Sequence, residues 1–70
     1  MSARQEICNH LMDMCLKHNM EVEALEYDST KNDCYVRVDT KGKFVDCSTA
    51  TDDNEFKKLI ANAIKSMQRA

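Results

Sequence analysis

The chain carries four cysteines, Cys8, Cys15, Cys34 and Cys47, and two histidines, His10 and His18. These residue types ligate metals and serve as nucleophile and base. Cys8 with His10, and Cys15 with His18, have the local spacing of ligand pairs. A structural zinc site, however, needs four converging ligands, and two isolated pairs fall short of one. Both histidines read as helix-surface residues, so no metal is expected; native mass spectrometry is the check for zinc. Cys15 beside His18 also has the types of a nucleophile and its base. A thiol on a core stripe is inert, and no third group is visible to orient the pair. There is no phosphate-binding loop, no supported carboxylate pair and little chain to wall a pocket. The sequence therefore reads as neither an enzyme nor a cofactor carrier. The cysteines lie among Ile, Leu, Val and Met, where free cysteine behaves as a small hydrophobe. That favours a reduced, intracellular chain, cytoplasmic or nuclear; disulfides are the reading for a secreted one.

The elements that hold these residues follow from periodicity. With 70 residues there is room for one core, so residues 1–70 form a single domain. An apolar fraction of 43% is too high for disorder, and no apolar run approaches the ~18 residues of a membrane helix. Ser2 and Gln5 resemble a capping box opening a helix near Ala3. Ile7, Cys8, Leu11, Met14, Cys15 and His18 continue it at helical spacing, with Arg4, Glu6, Asn9, Asp13 and Lys17 on the wetter side. Met12 and Leu16 widen the apolar stripe. Asn19 is a suitable stop.

Glu21 to Tyr27 reads as a strand with imperfect alternation, consistent with a bulge. Asp28 to Asp33 is a polar turn. Cys34 to Asp39 is the clearest strand: Cys34, Val36 and Val38 share one face, Tyr35, Arg37 and Asp39 the other. Thr40 to Lys43 is expected to turn the chain, with Gly42, the one glycine, supplying positive φ. Phe44 to Cys47 or Ser48 follows as an antiparallel third strand. Thr51 or Asp52 caps a second helix, Asp52 with Glu55 forming a capping-box pattern, and Asp52, Asp53 and Glu55 place acids where its dipole favours them. Phe56, Leu59, Ile60, Ala63, Ile64 and Met67 form its apolar face; Lys57, Lys58, Lys65 and Arg69 line the rest. The order predicts an α+β, two-layer α-β-β-β-α fold: a three-stranded antiparallel sheet with both helices on one face. The expected core is Ile7, Leu11, Cys15, Val36, Val38, Phe56, Ile60, Ala63 and Ile64, with Val22 or Leu25.

This order, together with Leu11 to Met20, Glu26-Tyr27, Tyr35 to Val38 with Lys41-Gly42-Lys43, and Asp52 to Met67, resembles the double-stranded-RNA-binding domain over the whole chain. The resemblance implies that fold and, ordinarily, recognition of A-form RNA by shape. The residues that would do so are changed. Asp13 and Leu16 stand on the first helix where the family often has Gln and Glu. Asp28 to Asp33 lacks the Gly-Pro-x-His of the family's first loop. Asp52, Asp53 and Asn54 fall where it has lysines, leaving at most Lys57 of that cluster. Carboxylates facing phosphates repel, and the net charge of −2 does not favour phosphate binding. The family includes members that bind protein instead, and Val45 to Asp52 is similar to the third domain of Dicer-partner adaptor proteins.

The resemblance thus implies a protein–protein interaction module of an RNA-silencing adaptor, forming a homodimer or docking onto a Dicer-type ribonuclease. The alternatives are a weak, shape-selective RNA binder using Lys57, Lys58 and Lys65, and a small stand-alone inhibitor or interaction protein. Independently, a third strand at a sheet edge, apolar at Phe44, Val45 and Cys47, invites a strand from another chain. Interface candidates are Phe44, Val45, Cys47, Leu16, Tyr35 and Arg37; one of Phe44 and Val45 must point away from the core.

Overall fold

The computed structural model of the chain describes residues 3–17 and 22–68, leaving the side chain of Leu16 outside the description. The elements run α1 (Ala3–Lys17), β1 (Val22–Asp28), β2 (Asp33–Val38), β3 (Lys41–Asp46) and α2 (Asp53–Met67). The strands form one antiparallel sheet in the order β1-β2-β3. This is the α+β architecture that the periodicity predicts. Ser2, His18 and Asn19, with the expected cap and stop of α1, lie outside the described residues, as does Arg69.

The sheet has two faces fixed by register. On the core side the rungs are Val22-Val38-Lys41, Leu25-Val36-Lys43 and Tyr27-Cys34-Val45. On the outer side they are Ala24-Arg37-Gly42, Glu26-Tyr35-Phe44 and Asp28-Asp33-Asp46. A bulge between Val22 and Ala24 resets the phase of β1 and explains its imperfect alternation. Both helices cover the core side, α1 over β1 and α2 over β2 and β3. Among the described residues no helix is long and apolar enough to cross a membrane.

α2 forms where local chemistry and packing agree. Asp52 sits in an extended conformation and accepts a hydrogen bond from Glu55 N at 2.9 Å. The Glu55 carboxylate returns to Thr51, taking its N–H at 3.0 Å and its hydroxyl at 2.8 Å. The reciprocal bond thus lands one residue before the cap. Phe56, Ile60, Ala63 and Ile64 bury one face at i, i+4, i+7 and i+8. Gln68 then leaves helical geometry while its N–H still reaches Ile64 O at 3.1 Å. α1 buries less: Cys8 and Cys15 face inward, while Ile7, Leu11 and Met12 are only half-buried against the core.

Most of the expected core is present, with Ile7 and Leu11 only half-buried against it, and both Val22 and Leu25 belong to it. Cys8, Cys34, Cys47 and Ala50 join it as small apolar side chains between larger ones. The Cys8 and Cys34 sulfurs meet at 3.8 Å. All four cysteines are free. Their shared hydrogen bond and burial hold the Cys34 thiol above its ordinary pKa, and burial raises Cys15 and Cys47.

The turn before β3 corrects the sequence reading. Positive φ falls on Asp39 (53°) and Thr40 (68°), and Gly42 has none. The hairpin is a two-residue turn of the type whose twist suits the flanking strands, so β3 begins three residues earlier than expected. Gly42 is a strand residue, required for space. A Cβ there would overlap the Tyr35 hydroxyl, which lies across it, so that ring would have to shift.

Arg4 is a second correction. It is not a wet-side residue but the joint of the domain. Its guanidinium donates to Asn32 Oδ1 at 2.9 Å and to Ala50 O at 3.0 Å. It also lies over the rings of Tyr27 and Phe56, 5.7 and 5.2 Å from their centroids. Those rings meet edge to face at 5.6 Å, and the Tyr27 hydroxyl donates to the same Asn32 oxygen at 2.8 Å. Gln5 accepts from Tyr27 N at 2.9 Å, and its amide donates to Asn9 at 3.1 Å. One end of α1 is thereby tied to two loops and to α2.

Candidate functional site

The sheet's outer face carries no helix. Its centre is the Tyr35–Phe44 pair, directly opposite on neighbouring strands, with ring centroids 5.0 Å apart and planes tilted by 51°. Phe44 remains 65% exposed, the largest exposure of any big apolar side chain among the described residues. Beside the pair lies an open concavity of about 480 Å3, lined by Glu26, Tyr27, Asp28, Ser29, Asp33, Tyr35 and Phe44.

Charge on this face is one-sided. The last outer rung is a row of three carboxylates, Asp28-Asp33-Asp46, and Glu26 lies opposite Tyr35. Like charges directly across a sheet are destabilising, and of the three carboxylates Asp28 and Asp46 accept hydrogen bonds in the turns beside them. Asp28 is held below its ordinary pKa by the Thr30 hydroxyl and by backbone N–H groups. The Ser48 N–H, 2.9 Å away, does the same for Asp46. Asp33 Oδ1 is buried and has no hydrogen-bond partner among the described residues. On the three outer rungs the one cation is Arg37, bonded through Nε to Glu23 at 3.1 Å. Lys31 adjoins Asp28 from the turn.

The free edge of β3 completes the region. Cys47 N donates to Asn32 O at 3.0 Å. Antiparallel ladders alternate bonded and non-bonded pairs. The bonded pairs are therefore Asn32/Cys47, Cys34/Val45, Val36/Lys43 and Val38/Lys41. The main-chain N–H and C=O groups of Gly42, Phe44 and Asp46 consequently face the open edge, where no described strand meets them.

The interface candidates separate on this frame. Phe44 and Tyr35 meet on the outer face, and Arg37 joins them, exposed. Val45 is the residue that turns inward, half-buried against the core. Cys47 is corrected outright: it lies just past β3 and is fully buried, so it offers a partner no surface. The side chain of Leu16 lies outside the described residues; Met12 packs on the core.

Lys57, Lys58 and Lys65 are exposed on α2, on the opposite layer from Phe44. The same helix starts with exposed Asp52, Asp53 and Glu55, and Thr51 holds the Glu55 carboxyl below its usual range. The β1–β2 loop is a tight turn whose last residue, Asn32 (φ 51°), is committed to Arg4 and Tyr27. Asp13 is exposed on α1.

The acidic rung and the Arg4 joint were missed from sequence. Alternation already sets Glu26 with Asp28 and Asp33 with Tyr35, but only the register joins the two strands into one acidic face. Among the described residues, no group of His, Cys, Asp and Glu is arranged to hold a metal ion. No protein-family model, curated protein or solved structure matches the chain.

Proposed function

We propose that the chain is a protein-association module, a homodimer that forms by adding the β3 edge of one copy to that of another. The observation that carries this reading is Phe44, 65% exposed on a strand whose outer main-chain groups are unpaired. Strand addition satisfies those groups and covers the ring. A twofold axis makes the pairing self-complementary and antiparallel.

Charge selects the register. Centred on Phe44, the pairing sets Lys43 opposite Val45 and Gly42 opposite Asp46. Centred one or two residues nearer the hairpin, it sets Lys43 against itself or against Lys41, and like charges across a ladder are unfavourable. The two edge lysines would otherwise protect the strand; here they discriminate among registers.

The resemblance to double-stranded-RNA-binding domains supplies the biological setting of this proposal, an adaptor of RNA silencing in which RNA contacts have been given up. Acids at the start of α2 and a loop already committed within the fold support that loss.

Sedimentation velocity on the reduced chain, alone and with a short RNA duplex, tests the reading. The expected result is a dimer that ignores RNA. Phe44→Arg is expected to sediment as a folded monomer, its melting midpoint lowered only by the lost association. A monomer without RNA overturns homodimerisation and turns attention to a heterotypic partner such as a Dicer-type ribonuclease. A monomer that co-sediments with RNA, through Lys57, Lys58 and Lys65, overturns the association reading altogether.

A further inference from the structure

The acidic concavity on the outer face adjoins the strand edge at Phe44 and has its own chemistry. It combines two adjoining aromatic rings, Tyr35 and Phe44, with the carboxylates of Glu26, Asp28 and Asp33. One Asp33 oxygen is buried without a hydrogen-bond donor among the described residues. Arg37, the cation of these rungs, is turned to Glu23. The face therefore lacks a cation that could both lie on a ring and donate to carboxylates.

We propose that this concavity docks an arginine side chain presented by a basic segment of a partner protein, with the guanidinium against the Tyr35–Phe44 pair and its N–H groups directed to the exposed Glu26, in the field of the Asp28 and Asp33 carboxylates. The site shares Phe44 with the proposed β3 interface, while its carboxylates stand on β1 and β2. Two arguments select arginine. A guanidinium is planar and weakly hydrated, so it stacks on an aromatic ring and donates sideways at once, whereas an ammonium is a compact, strongly hydrated point charge. The molecule also contains an internal version of the contact. On the core side Arg4 lies over Tyr27 and Phe56 while donating to Asn32 and Ala50. The outer face repeats the paired rings and the acceptors, with ionised acceptors in place of neutral ones. An acidic partner or a nucleic acid would be repelled by the same carboxylates.

The test is fluorescence anisotropy of a labelled peptide of alternating glycine and arginine, with amide chemical-shift mapping on the chain. Binding is expected to move resonances of the two outer rungs that carry Tyr35 and Asp33. The pair Glu26→Gln with Asp33→Asn is expected to weaken it at least about tenfold, while Asp53→Asn, a carboxylate lost at the far layer, leaves it unchanged. A matched lysine peptide is expected to bind several-fold more weakly. Melting curves and sedimentation of each variant show whether it is folded and whether its association state has changed. The proposal is overturned if Asp53→Asn weakens binding as much as the double variant, since that is unspecific charge attraction. It is also overturned if lysine and arginine peptides bind alike, if the shifts map to the β3 edge alone, or if no peptide binds.

Discussion

The two faces of one sheet solve different problems with alternate residues of the same strands. On the core face Cys34, Val36 and Val38 are fully buried under Phe56 and Ile60, themselves fully buried. On the outer face Tyr35 meets an exposed Phe44, and three aspartates stand in a row. The core face serves stability: apolar side chains fill its β1 and β2 positions, and Arg4, which joins them from α1, has both acceptors and aromatic rings. The outer face keeps an exposed ring and, at Asp33, a carboxylate between two others, which stability alone does not explain. Where a small domain tolerates an exposed ring and like charges side by side, recognition is the economical explanation.

The contrast can be broken most directly by truncating one aromatic residue on each face. Phe56→Ala removes a fully buried ring and is expected to cost about 3–5 kcal/mol, enough to unfold much of a domain this small. Phe44→Ala is expected to cost below about 1 kcal/mol in the single copy, at dilution where no dimer forms, because there it loses chiefly the contact with Tyr35. Urea unfolding of the two variants measures both. Similar losses would mean that the outer ring is structural and would undercut both recognition proposals.

A smaller effect sharpens the role of the joint. Arg4→Met keeps much of the apolar stem and removes both hydrogen bonds, so a loss of about 2 kcal/mol is expected. Arg4→Lys should recover little of it, since an ammonium does not reproduce the forked donors over the rings. Full rescue by lysine would show that charge alone matters there.

Smaller still, Asp33→Asn relieves the central charge of the acidic row. It is expected to stabilise the fold by roughly 0.5 kcal/mol, while weakening capture of the arginine peptide. A destabilised variant would mean that the row is held by contacts within the fold and is not reserved for a partner.

The smallest effect is acid sensitivity. Asp28, Asp46 and Glu55 have native pKa values below the ordinary 3.8 to 4.5. A depressed carboxylate binds fewer protons folded than unfolded, so its contribution is complete above the unfolded value and is lost as pH falls through the native one. The thermal midpoint is expected to be level from neutral pH to about 5 with respect to these groups, and to fall below about 4.5. Asp52→Ala, which removes the acceptor for Glu55 N, lowers the midpoint throughout without moving that window. A midpoint that rises on acidification would show that repulsion among the carboxylates outweighs their hydrogen bonds.

Much of this was legible in the sequence because period is a local property. Spacing alone gave α2, its cap and its buried face. It also gave both faces of β2, and the flaw in β1 that proves to be a bulge. The misreadings share a cause. Gly42 drew the turn toward itself because glycine is the usual carrier of positive φ. Asp39 and Thr40 carry it instead, and glycine is needed where the Tyr35 ring crosses the backbone, a contact between strands. Cys47 read as an edge residue because alternation does not say where a strand stops; its burial follows from the chain bending under α2 after Asp46. Arg4 read as wet because helical spacing cannot know that Asn32, Ala50, Tyr27 and Phe56 converge on it.

The sequence by itself determined the element order, the antiparallel hairpin of β2 and β3, and the alternation that makes a two-faced sheet. Those depend on residue types and short spacings, which steric and capping rules read directly. Only the tertiary structure decided that Phe44 and not Val45 points outward, that Cys47 is core, and that Asp28, Asp33 and Asp46 form one acidic row. Each of these depends on the register between strands. Register is set by which side chains the helices bury together, a choice the whole chain makes at once.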